Sequence, residues 1–376
     1  MRLLLISDAW HPQVNGVVRA LSTIRDRAAA RGIQVEVLGP DRFRSLPCPT
    51  YPEIRLALST PARIARIIDE VAPDAVHIAT EGPLGLMVRR VMKQRGLPFT
   101  TSFHTLFPDY LQVRFGLPAR WTFAGLRRFH AGAAATMYST PTLCALLESH
   151  GFSNLVQWVR GVDTELFRPV PPVELNLPKP IQLFVGRIAV EKGLEDFLKL
   201  TTPGSKVLIG DGPQLAELKR RYPHAHFLGA RFGEDLVAHY SAADVFVFPS
   251  RTDTLGLVML EAMACGVPVA AFPVMGPLDV VADSGAGHLD TDLAAAIEGA
   301  IGIDPALCRA RALAHSWDES LNQFLDNLVP FTQAKATRAT AGPATSDGSA
   351  QAPLPAPPSV PSAPGINQIG EDQARS

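Results

Sequence analysis

Short runs rich in apolar and β-branched residues alternate along this chain with longer amphipathic segments. The runs at 2–6 (RLLLI), 35–38 (VEVL), 75–78 (AVHI) and 99–102 (FTTS) are too short for buried helices and read as strands, the first of them buried. Between them, residues 18–31, 62–71 and 83–95 are read as helices, and Gly32 stops the first. Strand followed by helix, repeated, predicts a parallel sheet with helices on both faces. Asn15-Gly16, in the loop after the first strand, is expected to form a turn before the first helix. That loop has no G-x-G-x-x-G, so a dinucleotide fingerprint is missing.

The pattern breaks once and restarts. The run 155–159 and the segment RGVDTELFRP (160–169) close the first half, and PVPPVELNLPKP (169–180) is a proline-stiffened linker. Strands are then expected at 181–185, 206–209, 226–228 and 244–249, with helices at 194–200, 214–222, 234–242, 292–302 and 305–314 and a last amphipathic segment at 317–328. With 376 residues the chain exceeds what one core usually supports. The expected organisation is α/β: a Rossmann-like domain over 1–168, the linker 169–180, a second Rossmann-like domain over 181–314 and a closing helix at 315–330. The remainder, 331–376, is rich in Pro, Ala, Ser, Thr and Gly and is expected to be disordered.

Composition narrows the class. A hydrophobic content of 47% with 19% charged residues is that of a globular protein. The four cysteines (Cys48, Cys144, Cys265 and Cys308) form no C-x-x-C pair, which supports neither a disulfide frame nor a metal site. MRLLLISD is too short an apolar run for a signal peptide, and no stretch reaches the length of a spanning helix. The net charge of −1 hides an asymmetry: residues 1–170 carry 20 Lys+Arg against 13 Asp+Glu, and the rest carry 15 against 23. The basic half suits an anionic partner, and solvated surface charge is the other reading.

The chemistry concentrates in Ser250–Pro273 (SRTDTLGLVMLEAMACGVPVAAFP). Asp253 and Glu261 lie eight apart on a loop entering a helix, so both carboxylates are expected to face one pocket. Thr254 and Gly256 stand where the helix begins and its free N–H groups favour phosphate. Arg187 and Lys192 bracket the first crossover of the second half, so two cations reach a place suited to a diphosphate. His104 follows the strand at 99–102 directly, where an open parallel sheet lines its ligand crevice; a loop histidine satisfied by its neighbours is the alternative. His77, inside a strand, is read as structural. From Tyr110 to Leu147 there is no acidic residue, while Arg114, Arg120, Arg127 and Arg128 interleave with apolar and aromatic residues, Trp121 among them. That suits anionic lipid headgroups, or equally an ordinary amphipathic helix pair.

Taken together, GRIAVEKGLEDF, VLIGDGP and DTLGLVMLEAMACGVPV resemble the donor domain of the retaining GT-B glycosyltransferases of family 4. HPQVNGVVRAL, HIATEGPLG, TSFHTLFPDY and GFSNLVQWVRGVDTELFRP resemble one branch, which includes bacterial α-mannosyltransferases and sulfoquinovosyl and glucuronosyl diacylglycerol synthases. The resemblance implies two Rossmann-like domains facing across a cleft and metal-independent transfer of a hexosyl unit from a GDP- or UDP-linked sugar, with no cofactor. Arg187 and Lys192 would bind the donor diphosphate, Glu261 the ribose and Asp253 the transferred sugar. Thr254, Leu255, Gly256 and Leu257 would offer backbone amides, and Gly16 would keep the first loop close to the phosphates. His104 would hydrogen-bond the sugar at the reaction centre. Asp253 stands where Glu is common and Leu255 where Phe is more usual, which implies a shorter reach and a softer pocket wall. The expected partners are a nucleotide sugar, a lipid acceptor and the inner face of the cytoplasmic membrane, with no nucleic acid. Competing readings are a soluble or polysaccharide acceptor, a non-catalytic nucleotide-sugar-binding protein and a pyridoxal-dependent sugar phosphorylase of similar plan.

Overall fold

A computed structural model describes residues 1–13, 15–48, 51–104, 106 and 118–332, without the side chains of 51–54. Arg114 and the segment expected to be disordered from 333 onward lie outside the described residues. The first half runs β1 (Arg2–Ile6), α1 (Gly16–Ala30), β2 (Gln34–Leu38), β3 (Arg44–Cys48), β4 (Tyr51–Leu58), α2 (Pro61–Val71), β5 (Ala75–Ile78), α3 (Pro83–Arg95), β6 (Thr100–Ser102), α4 (Ala119–His130), β7 (Ala135–Tyr138), α5 (Pro141–Ser149) and β8 (Leu155–Gln157). Its main sheet is parallel, in the order β2-β1-β5-β6-β7-β8, and β3 and β4 form a separate antiparallel pair. The second half runs β9 (Ile181–Val185), α6 (Leu194–Leu198), β10 (Ser205–Ile209), α7 (Leu215–Arg221), β11 (His226–Gly229), α8 (Gly233–Ser241), β12 (Val245–Phe248), α9 (Leu257–Ala264), β13 (Val269–Ala271), α10 (Pro277–Val280), β14 (Gly287–Leu289), α11 (Leu293–Ala300), α12 (Pro305–Leu313) and α13 (Trp317–Asp326). Its sheet is also parallel, in the order β11-β10-β9-β12-β13-β14.

Alternation within single strands explains the layering. Leu4, Ile6, Val76 and Ile78 share a core with Ile64, Ile68, Val88 and Met92, whereas Leu3 and Leu5 pack with Leu21, Ile24, Trp158 and Phe324. In the second sheet Leu183, Phe246 and Phe248 pack with Met259 and Met263, and Phe184, Leu208 and Val247 with Phe197 and Ile297 on the other side. The central strands bury both faces because each face has its own helix layer.

Three local expectations are revised. Asn15-Gly16 is no turn: α1 starts at Gly16, and the Asn15 side chain accepts the Val18 N–H at 3.0 Å as the helix N-cap. The β3–β4 hairpin was not anticipated, since its strands carry Pro47 and several exposed residues. The acid-free stretch holds a strand, β7, between its two helices; β7 is the short run ATMY, without the aliphatic density of the other central strands.

α13 does not stay with the second sheet. Trp317, Leu321 and Phe324 pack beneath the first one against Trp158 and Leu5, and the Trp158 and Phe324 rings lie 4.7 Å apart. The chain passes between the halves twice, side by side: Val162 donates its N–H to the His315 carbonyl at 3.0 Å. A Cβ on Gly161 would lie 2.5 Å from the Trp317 nitrogen, so this crossing admits only glycine. Phe324 is fully buried. Phe324→Ala is therefore expected to cost about 3–5 kcal/mol, seen as a lower urea midpoint for loss of the first sheet. An unchanged midpoint would mean that the helix docks without that ring.

Candidate active site

Both sheets reverse strand order at their first strand, β1 beside β5 and β9 beside β12, and open α/β sheets bind ligands just past the carboxyl ends of the strands there. In the second half those ends carry Arg187 and Lys192 after β9 and Asp253–Gly256 after β12. The Lys192 ammonium donates to both oxygens of Asp253 at 2.7 and 2.8 Å, with both side chains about four-fifths buried (20% and 18% exposed). Gly193 takes φ +62° behind it, and a Cβ there would lie 2.6 Å from the Pro249 carbonyl, so glycine lets the lysine loop press on the end of β12.

Gly256 precedes α9 in a left-handed conformation, φ +82°, and offers no side-chain cap to its first N–H groups. The contrast with α3 is informative. There the Asp8 carboxylate accepts the Leu84 and Gly85 N–H groups at 2.8 and 3.1 Å, so that helix start is filled by the protein itself. Burial pushes the Asp8 carboxyl above the usual range, against those hydrogen bonds.

The two carboxylates expected to share a pocket have separate partners. Asp253 faces Lys192, while Glu261 is buried inside α9 and accepts from Tyr240 Oη at 3.1 Å and from Arg19 Nη1 of the first half. Helical rise separates them: Asp253 lies before the helix, and Glu261 is its fifth residue. Leu255 is also revised as a wall of the pocket: its side chain lies in the apolar core, only 9% exposed.

The halves meet at this place. Thr254 Oγ1 donates to the His104 carbonyl at 2.9 Å, and Thr142 at the start of α5 donates its backbone N–H to Asp279 at 3.1 Å. A Cβ on Gly16 would lie 4.0 Å from Leu257, so the first loop reaches the start of α9. Gly16, His104, Lys192, Asp253, Thr254, Gly256, Leu257 and Glu261 are thereby brought around one cleft, with Arg187 on the loop after β9.

His104 Nδ1 accepts from Arg160 Nη2 at 2.9 Å, and its buried Nε2 has no partner among the described residues. Burial first, then the Arg160 cation, then His77 and His130, hold this imidazole well below its usual pKa, so it is neutral. His77 fits the structural reading: it is fully buried between the Thr100 and Ser102 hydroxyls at 2.8 and 2.7 Å, and burial takes it down to about 3. Sequence reasoning did not single out Arg19 and Arg160. Arg19 follows Gly16 by three residues, one helical turn, and that spacing was the available signal. The bond from Arg160 to His104 spans 56 residues, and nothing in the local sequence marks it.

α4 carries Arg120, Trp121, Arg127 and Arg128 of the acid-free stretch. It buries Phe123, Phe129 and His130 and exposes Arg120, Trp121, Arg127 and Arg128, with Trp121 69% exposed. Among the described residues no helix is long and apolar enough to cross a membrane.

Two parallel-sheet domains that meet in this way have the GT-B architecture expected from the sequence. The descriptions "Glycosyltransferase Family 4" and "Glycosyl transferases group 1" match residues 14–166 and 179–302. The chain is 30% identical over 316 residues to the GDP-mannose-dependent alpha-mannosyltransferase of Mycobacterium tuberculosis, covering 77% of this chain and 83% of the relative. It is 26% identical over 330 residues to the alpha-monoglucosyldiacylglycerol synthase of Acholeplasma laidlawii, covering 72% and 79%. The fold matches sucrose-phosphate synthase from Thermosynechococcus elongatus with a TM-score of 0.69 at 22% identity, over 91% of this chain and all of that one. The protein belongs to glycosyltransferase family 4.

Arg19 and Glu261 give a test of the contact between halves. Arg19→Ala leaves a buried carboxylate without its cation and is expected to cost about 3 kcal/mol. Adding Glu261→Gln should recover most of that in denaturant melts. Additive losses would show that the two residues do not interact in solution.

Proposed function

We propose that this glycosyltransferase moves a hexosyl unit, of mannosyl, glucosyl or uronosyl type, from a GDP- or UDP-linked sugar to a lipid acceptor such as diacylglycerol or a glycolipid, with retention. The observation that supports the reading is the hydrogen bond from Thr254 to the His104 carbonyl, which ties the His104 backbone of one half to the residue that follows Asp253, the partner of Lys192, in the other. On donor binding, Lys192 exchanges Asp253 for the diphosphate and, with Arg187, stabilises charge on the leaving group. The freed Asp253 accepts from the sugar hydroxyls, and Glu261 exchanges Arg19 for the ribose hydroxyls. The amides of Thr254 to Leu257 face the phosphates.

The bond from the anomeric carbon to the phosphate oxygen breaks, and its electron pair stays on the diphosphate. The acceptor oxygen bonds to that carbon on the same face and passes its proton to the departing phosphate oxygen. His104, donating from Nε2 to the sugar, holds the anomeric centre in place. No protein nucleophile and no metal takes part in this scheme. The relatives' names support the two substrates, one specifying GDP-mannose and the other a glucosyl diacylglycerol product.

The test is incubation with a panel of labelled GDP- and UDP-sugars and membrane lipid, followed by identification of the product. We expect one donor to give a lipid-linked sugar, and Lys192→Ala to lower kcat on the order of 10²–10³-fold. A water-soluble product would assign a soluble acceptor instead, and undiminished activity in the variant would overturn the diphosphate role.

The exposed face of α4 supports docking of the first half on an anionic, cytoplasmic-side membrane surface, with Trp121 at headgroup depth between Arg120 and Arg128. Arg127 also donates to the His150 carbonyl at 3.3 Å, so Arg120 and Arg128 are the cleaner pair to reverse. Arg120→Glu with Arg128→Glu is expected to weaken co-sedimentation with anionic liposomes at least ~30-fold, with activity on a dispersed short-chain acceptor retained. Equal binding would remove this face from the membrane contact.

A further inference from the structure

We propose that Arg160 is a positioning residue for the transfer: stacked on Trp158, its guanidinium locks the His104 ring in the tautomer that carries the proton on Nε2, the nitrogen offered to the sugar. The proposal rests on the reading of His104 as a sugar ligand given above.

Arginine has no acceptor, so in the 2.9 Å contact between Arg160 Nη2 and His104 Nδ1 the guanidinium donates and Nδ1 accepts. A neutral imidazole then holds its only proton on Nε2. That buried N–H has no partner among the described residues, an arrangement proteins seldom keep unless a ligand completes it. The other face of the residue is fixed too, because the His104 carbonyl accepts from Thr254, next to Asp253.

Arg160 itself is hard to explain as packing. It is 5% exposed, and no carboxylate among the described residues pairs with it. Its charge is met instead by the Trp158 ring, with Cζ 3.4 Å from the centroid, and by the Trp158 carbonyl at 3.1 Å. A buried cation without a counter-ion costs stability, and here its free donor is spent on one imidazole nitrogen.

The stack is held from far along the chain. Trp158 Nε1 donates to Ser320 at 3.1 Å, Ser320 donates to the Val159 carbonyl at 2.7 Å, and the Val159 N–H meets Gln323 at 3.0 Å. The last helix therefore sets the height of Arg160, and Arg160 sets the ring of His104.

The electrostatics agree with the geometry. The groups around His104 are Arg160, His77 and His130, the last also hydrogen-bonded to the buried Glu81 carboxylate at 3.1 Å. Burial lowers the Arg160 pKa only to about 9, so it is cationic at neutral pH. Burial first, and the Arg160 charge after it, keep His104 from protonating in mild acid, where an imidazolium beside an electron-poor anomeric centre would repel it.

The test uses the full chain with ¹⁵N-labelled histidine, the His104 signals being assigned with His104→Gln. In the wild type a long-range ¹H–¹⁵N spectrum should show His104 as the Nε2–H tautomer throughout pH 5–8. Arg160→Met keeps the stack's bulk without a donor. It should mix the tautomers, raise the acid limb of kcat/KM, and lower kcat on the order of tenfold, with the donor KM within about twofold. Arg160→Gln can still donate to Nδ1; it should restore the tautomer and part of kcat but not the acid limb. A folded Arg160→Met protein with the wild-type His104 spectrum would overturn the proposal, and should that variant not fold, the Gln variant's spectrum and acid limb decide. If the wild type transfers no sugar, the functional reading fails, while the spectrum still decides whether Arg160 sets the tautomer.

Discussion

The structure depends on the return of its last helix to its first sheet. Trp317, Leu321 and Phe324 pack against Trp158 and Leu5, completing the layer that α1 begins with Leu21 and Ile24. Because the chain must come back to do this, it crosses between the halves twice, and the crossings pair through Gly161, Val162 and His315. Two adjacent strands of backbone restrict the relative motion of the halves far more than one would. Ser320 and Gln323 on the same helix then hold residues 158 and 159, so docking for stability also fixes groups that lead to the cleft.

Charge in the cleft is paired within the protein. Lys192 and Asp253 neutralise each other, as do Arg19 and Glu261, so no strongly charged group of these four is left alone in a partly buried place. Under the exchange proposed above, a donor's diphosphate and hydroxyl groups would meet Lys192, Asp253 and Glu261 in place of these pairings.

Helix starts are used in two opposite ways. Asp8 fills the start of α3 in the first half, and Gly82 is required there because a Cβ would lie 2.3 Å from the Asp8 carboxyl carbon. At α9 the corresponding place is left to Gly256 and the adjoining amides. Identical secondary structure therefore gives one self-satisfied end and one receptive end, and a single side chain makes the difference.

Much of this was legible in the chain itself. The mainly apolar runs at 2–6, 75–78, 181–185 and 245–248 announced parallel strands, because a strand buried on both faces shows no regular polar alternation. Arg187, Lys192 and Asp253 could be placed past strand ends of the second sheet from their order alone, since β–α connections in such sheets put those ends together. What the sequence left open depends on partners far apart in the chain: Arg19 with Glu261, Arg160 with His104, Thr142 with Asp279, Phe324 with Trp158. Local spacing determines which face of an element a residue occupies. Which other element that face meets is decided only when both halves and the returning helix have packed.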